Sequence, residues 1–105
     1  MSSRKTPWFV LHAPELGRKF QDFYLQCAED GVLDKKTREL LLLSLASVFR
    51  CPHCTEKHLK GATEAGATKA EITEVLLITA VGAADTQLAW AKQLYCKYLG
   101  DNRTK

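Results

Sequence analysis

The sequence predicts an all-α protein, a compact single-domain bundle of about five helices, and three observations carry that prediction. Apolar residues recur at three- and four-residue steps along most of the chain, the spacing of one helix face. Short breaks built from Gly, Pro and capping residues separate these stretches, with no alternating β pattern between them. At 105 residues the length is that of one domain, so 1–105 is expected to be a single helical domain with short polar ends near 1–6 and 100–105.

The first amphipathic stretch runs from Glu15 to Asp30, with Leu16, Phe20, Phe23, Tyr24 and Cys27 on its apolar face, and Gly31 stops it. The segment before it, with His12 and Pro14, reads as irregular. Asp34 is placed to cap a second helix that continues through Leu40 to Leu45 and ends about Phe49. Pro52 lacks an amide donor and suits only a first turn, so a third helix is expected to begin near Cys51 and run to Ala65, stopped by Gly66. Thr68 and Glu71 have the spacing of a capping box and open a fourth helix, which is expected to end at Gly82. A fifth, carrying Leu88, Trp90, Leu94, Tyr95 and Tyr98, ends before Gly100.

With 46% apolar and 26% charged residues the composition is that of a folded globular protein. The net charge of +3 is spread along the chain or lies at its end, as in Arg103 to Lys105, which does not point to nucleic acid. No run approaches the roughly 18 consecutive apolar residues of a membrane span, and the short run from Trp8 to Leu11 is too small for a signal peptide. Four cysteines without a secretion signal indicate thiols in a reducing, cytoplasmic compartment. Two stretches, Leu40 to Leu45 and Val75 to Ala84, are apolar on nearly every side. A chain this short has little core of its own in which to bury both, so a homo-oligomer is expected.

Chemistry-bearing residues concentrate between Arg50 and His58. With Cys51 at a helix start, Cys54 follows after three residues and His58 after four more, which puts all three on one helix face. Unpaired amides and the helix dipole favour a thiolate in the first turn, and His58 one turn below can take up the thiol proton, so Cys54 is expected to be nucleophilic. A C-x-x-C pair at a helix start can also close into a disulfide, one cysteine attacking and the other resolving.

The order Glu39, eleven residues, Cys51, two residues, Cys54, three residues, His58, with His53 directly before the second cysteine, resembles the AhpD-like alkylhydroperoxidases of the carboxymuconolactone decarboxylase superfamily. The text from Gly61 to Ala80, with Ala65-Gly66-Ala67-Thr68 and Glu71-Ile72, is similar too, and the likeness spans roughly 33–82. The resemblance implies thiol-dependent reduction of a small peroxide. Cys54 would form the sulfenic acid, Cys51 would resolve it to a disulfide, and Glu39, His53 and His58 would relay protons. An external thiol or protein reductant would restore the pair, and the subunits would assemble as trimers or hexamers. No haem, flavin or nucleotide cofactor is implied. The longer peroxidases of this kind carry two related helical halves, and this chain resembles the motif-bearing one. Members that decarboxylate carboxymuconolactone lack the cysteine pair, which makes a lyase a distant reading.

If Arg50 marks the break between helices, Glu39 lies about 16 Å back and His58 about 12 Å forward, at about 1.5 Å per residue. An antiparallel pair therefore brings them level, within reach of a glutamate side chain and a bridging water. Two other functions compete. Cys51, Cys54 and His58, with Glu39, Cys27 or Cys96 as a fourth ligand, have the donor types of a zinc site. The same tetrapeptide also serves thiol–disulfide exchange or redox sensing, although a thioredoxin-type fold would need strands that the pattern lacks. Cys27 and Cys96 otherwise read as small packing hydrophobes, Arg50 as a helix terminator, and Trp90, Tyr95 and Tyr98 as core or interface aromatics.

Overall fold

The computed structural model describes residues 6–29 and 31–100. The expected polar ends, apart from Thr6 and Gly100, and the expected helix end at Asp30 lie outside the described residues, as does the basic group Arg103 to Lys105. Among the described residues the chain is all-helical, with α1 (Trp8–His12), α2 (Pro14–Glu29), α3 (Lys35–Val48), α4 (Pro52–Glu64) and α5 (Lys69–Leu99).

The start signals read from the sequence operate as local chemistry dictates. Asp34 sits in extended backbone and its carboxylate accepts from Thr37 N–H at 2.8 Å, satisfying a donor that α3 cannot satisfy itself. Thr68 and Glu71 form the complete capping box of α5, at 3.1 and 2.9 Å. Gly66 adopts φ 97° just past α4 and ends it.

Two expectations fail, and they offset each other in the helix count. The segment read as irregular forms the short α1, capped by Pro7 and ended at Ala13, with Pro14 opening α2. Five residues are too few to show a helical period. The backbones of α1 and α2 approach closely at Gly17, where a Cβ would lie 2.7 Å from Val10 Cα. Conversely, Gly82 does not separate two helices, because α5 runs through it unbroken for 31 residues. A mid-helix glycine costs only about 1 kcal/mol relative to alanine, and Ala80, Ala83, Ala84, Leu88 and Ala89 around it favour helix. Neither a proline nor a new cap opposes them.

Two cross-links define how α3 and α5 run. Lys36 Nζ donates to Glu71 at 3.0 Å and the Ser44 and Thr79 hydroxyls share a hydrogen bond of 2.6 Å, both across the same offset of 35 residues. The helices are therefore parallel and in register over the first half of α5. Between them in sequence, α4 turns back antiparallel to α3. Arg38 fixes the preceding link, donating from Nε to Ala28 O at 2.9 Å and from Nη1 to Leu33 O.

The expectation of a compact bundle is not met by the single chain. Its radius of gyration is 19.4 Å, with extents of 66 × 37 × 26 Å, against roughly 13 Å for a compact domain of about 100 residues. Leu43, Ala46 and Ala62 are buried between α3 and α4, whereas α5 has no buried residue at all. At about 1.5 Å per residue α5 extends well past its neighbours, leaving Trp90, Tyr95 and Tyr98 exposed rather than in a core. Apolar grooves of about 680 Å³ between α3 and α5 and about 440 Å³ between α2 and α3 lie open. By length and composition α5 also suffices to cross a membrane. Counting consecutive apolar residues missed this, because Asp85 interrupts the run without making the helix polar.

Candidate active site

The link between α3 and α4 is only 49–51, and its geometry places the cysteines. Arg50 adopts φ 58°, a left-handed conformation that non-glycine residues rarely take and that costs about 1–3 kcal/mol. It lets the chain reverse at once, with Cys51 N–H bonded to Ala46 O at 3.1 Å. The Arg50 guanidinium turns back toward Ser47 O, so the residue acts as the terminator that the sequence indicated.

Cys51 is then the N-cap of α4, with Pro52 at the first helical position, where its missing N–H is no loss. The Cys51 sulfur accepts from Cys54 N–H at 3.2 Å, and the Cys51 carbonyl accepts from Thr55 N–H at 2.9 Å and from the Thr55 hydroxyl at 2.8 Å. The two cysteines are joined in a disulfide across a Cα–Cα distance of 5.3 Å. Both are half-buried. The first-turn amide of Cys54 therefore bears on the Cys51 sulfur, where the spacing alone placed its influence on Cys54.

One turn below Cys54, His58 is buried at 9% exposure beside the equally buried Glu39 of α3. His58 Nδ1 and Glu39 Oε1 are 2.8 Å apart. Ridge packing of the antiparallel hairpin brings the two level without the bridging water that the length estimate allowed. Burial is the largest single influence on the Glu39 carboxyl and raises its pKa. Hydrogen bonds from His58 and Lys35, with the charges of both, outweigh it and hold the group below its ordinary value of 4.5. With Glu39 ionised, Nδ1–H of His58 donates to it and Nε2 is left to accept a proton.

Lys35 Nζ donates to the other carboxylate oxygen of Glu39 at 3.0 Å. This contact was legible as an i, i+4 pair but not as part of the site. His53 is exposed and lines a polar cleft of about 530 Å³ with Glu39, Lys57, Lys60 and Gly61. Four of the five sequence candidates thus form two adjoining pairs on one hairpin, and His53 faces the cleft beside them. Cys27 is exposed at the rim of the α2–α3 groove and Cys96 half-exposed far along α5. Among the described residues no group of three or more His, Cys, Asp or Glu is arranged to hold a metal.

A helix-start cysteine pair backed by a buried histidine–glutamate pair on an all-helical frame defines a class of thiol-bearing helical protein. A sequence profile of the carboxymuconolactone decarboxylase family matches residues 14–95, and the chain belongs to that family. A Paracoccus denitrificans protein named uncharacterized protein 4 in cox locus is 36% identical over 81 residues, 73% of each chain. A Haemophilus influenzae protein described only as uncharacterized is 39% identical over 49 residues, which is 47% of this chain and 43% of that one. The crystal structure of a protein from Methanobacterium thermoautotrophicum has a TM-score of 0.72 at 26% identity, covering 83% of this chain and 98% of that one.

Proposed function

We propose that the chain is a thiol-dependent peroxidase of the alkylhydroperoxidase kind, acting through Cys51 and Cys54. The observation that carries the reading is the buried Glu39–His58 pair one turn below a cysteine pair already close enough to form a disulfide. In the reduced protein His58 takes the Cys54 thiol proton, and the thiolate attacks the peroxide O–O bond. This yields a Cys54 sulfenic acid and the alcohol or water, the leaving oxygen taking up a proton. The Cys51 thiol condenses with the sulfenic acid, forming the disulfide and releasing water. Two electrons from an external dithiol or a protein reductant then restore both thiols. His53, at the cleft, serves the relay from the solvent side.

The reading includes a homo-oligomer working in the reducing cytoplasm. Other copies would cover the open apolar grooves and the outer half of α5. That half also carries Asp85, Lys92 and Lys97, and its inner half is tied to α3 through Lys36 and Glu71, a pattern that suits a water-facing assembly better than lipid. Size-exclusion chromatography with light scattering, without detergent, is expected to give a multiple of 11.8 kDa. A monomer, or a chain soluble only in detergent, overturns this part.

The activity is tested by dithiol-dependent consumption of an alkyl hydroperoxide by wild type and Cys54→Ser. Turnover should be lost in the variant, and equal rates would overturn the assignment. A protein that exchanges disulfides with dithiols yet consumes no peroxide would instead act in thiol exchange, the second reading that the same cysteine pair supports.

A further inference from the structure

Gly61 is an unexpected residue for its place. It lies within α4, next to the fully buried Ala62, and its carbonyl accepts from Ala65 N–H at 3.0 Å in the helical pattern. Its φ is ordinary, so no turn requires a glycine there. In a helix, alanine in its place would ordinarily be favoured.

The neighbour across the hairpin accounts for it. A Cβ on Gly61 would fall 2.6 Å from Glu39 Cδ and 3.0 Å from Oε2, and closer still to Oε1. The whole carboxylate, and not one oxygen of it, occupies the space that a side chain would take. His58 and Gly61 are three residues apart on one face of α4, so the imidazole and the bare backbone together form the socket in which the carboxylate rests. The atoms in conflict are the far end of a flexible side chain. An added methyl therefore moves Glu39 rather than the helices, and the Lys35 partner, being largely exposed, can follow it outward.

We propose that Gly61 is a positioning residue, kept without a side chain so that Glu39 can reach His58 and hold it for proton transfer from the cysteine pair. The inference rests on the reading of Glu39 and His58 as a proton relay. It identifies a position whose substitution spares the fold and disables the relay, the reverse of an ordinary core substitution.

The test is the pH dependence of iodoacetamide alkylation of the reduced, full-length protein, read by mass at Cys51 and Cys54, with thermal melting in parallel. Wild type, Gly61→Ala, Glu39→Gln and the double variant are compared. A His58 ring no longer held by Glu39 is a poorer acceptor for the Cys54 thiol proton, so less thiolate forms near neutral pH. Gly61→Ala should therefore lower alkylation near neutral pH by about three- to tenfold, corresponding to a shift of about half to one pH unit. Alanine favours the helix by about 1 kcal/mol while the Glu39–His58 bond is lost, so the melting temperature of Gly61→Ala should not fall below that of Glu39→Gln. The double variant should be no slower than Glu39→Gln alone, since both changes remove the same interaction.

A Gly61→Ala profile like wild type while Glu39→Gln is slowed overturns the role of Gly61 and leaves the relay standing. Effects that add in the double variant, or a melting temperature of Gly61→Ala below that of Glu39→Gln, overturn it as well. No effect of Glu39→Gln removes the relay and the proposal with it. None of these readouts uses a peroxide, so loss of the peroxidase reading would register separately.

Discussion

The α3–α4 hairpin and the long helix α5 are nearly equal in length and opposite in condition. The hairpin contains Leu43, Ala46 and Ala62 as its buried seam and sets Glu39 and His58 within the same layer, whereas none of the 31 residues of α5 is buried. Yet α5 is the more apolar of the two. The hairpin satisfies its own chemistry within about thirty residues, so the site is built from local contacts that cost little in chain entropy. The inner half of α5 lies along α3, and the apolar side chains of its outer half are exposed; this is the surface that the proposed assembly would cover.

That difference can be broken at several points, beginning where the effect is largest. If the proposed assembly forms through the exposed outer part of α5, Leu94→Asp should reduce it to the 11.8 kDa subunit in light scattering, and an unchanged mass would show that this face is not the contact. Leu43→Ala, at 0% exposure in the hairpin, should cost about 2–5 kcal/mol in urea unfolding; a cost below about 1 kcal/mol would mean that the seam is not the core. Thr68→Ala removes one half of the α5 capping box and should cost about 1 kcal/mol, visible as a small fall in the same midpoint.

Glu39 gives the hairpin a pH response in acid. Glu39 has its pKa lowered in the folded chain, so its contribution to stability is fully present above the ordinary value of 4.5 and is lost as pH falls through the lowered value. Unfolding midpoints for wild type and Glu39→Gln, followed from pH 7 down to about pH 3, should converge in that window. Curves that stay parallel would show that the carboxylate is not held in its charged form by His58 and Lys35.

Where the sequence could be read and where it could not follows from the range of each interaction. Asp34, the Thr68–Glu71 box and Cys51 before Pro52 are signals spanning three or four residues, and each sits where the spacing put it. Glu39 entered through the family resemblance, and two helix lengths and a reversal then set it level with His58, although the estimate left room for a water that the hairpin does not need. Gly82 misled because a glycine weakens a helix by less than the cost of ending one among good helix formers. Compactness was misread because the fifth helical stretch was expected to fold back at Gly82, whereas the continuous α5 carries Trp90, Leu94 and Tyr98 outward to exposed positions. Gly61 gave no signal at all, since only the depth of Glu39 explains it.

The claim on which the rest depends is the order of the two thiols, and one single-turnover measurement addresses it. Reduced Cys51→Ser and Cys54→Ser are each treated with one equivalent of alkyl hydroperoxide in the presence of a sulfenic-acid trap and analysed by mass. The account predicts an adduct on Cys54 in the first variant and none on Cys51 in the second, with wild type passing straight to the disulfide. An adduct on Cys51 in Cys54→Ser, with Cys54 unmodified in Cys51→Ser, would contradict it and transfer the attacking role to the N-cap sulfur.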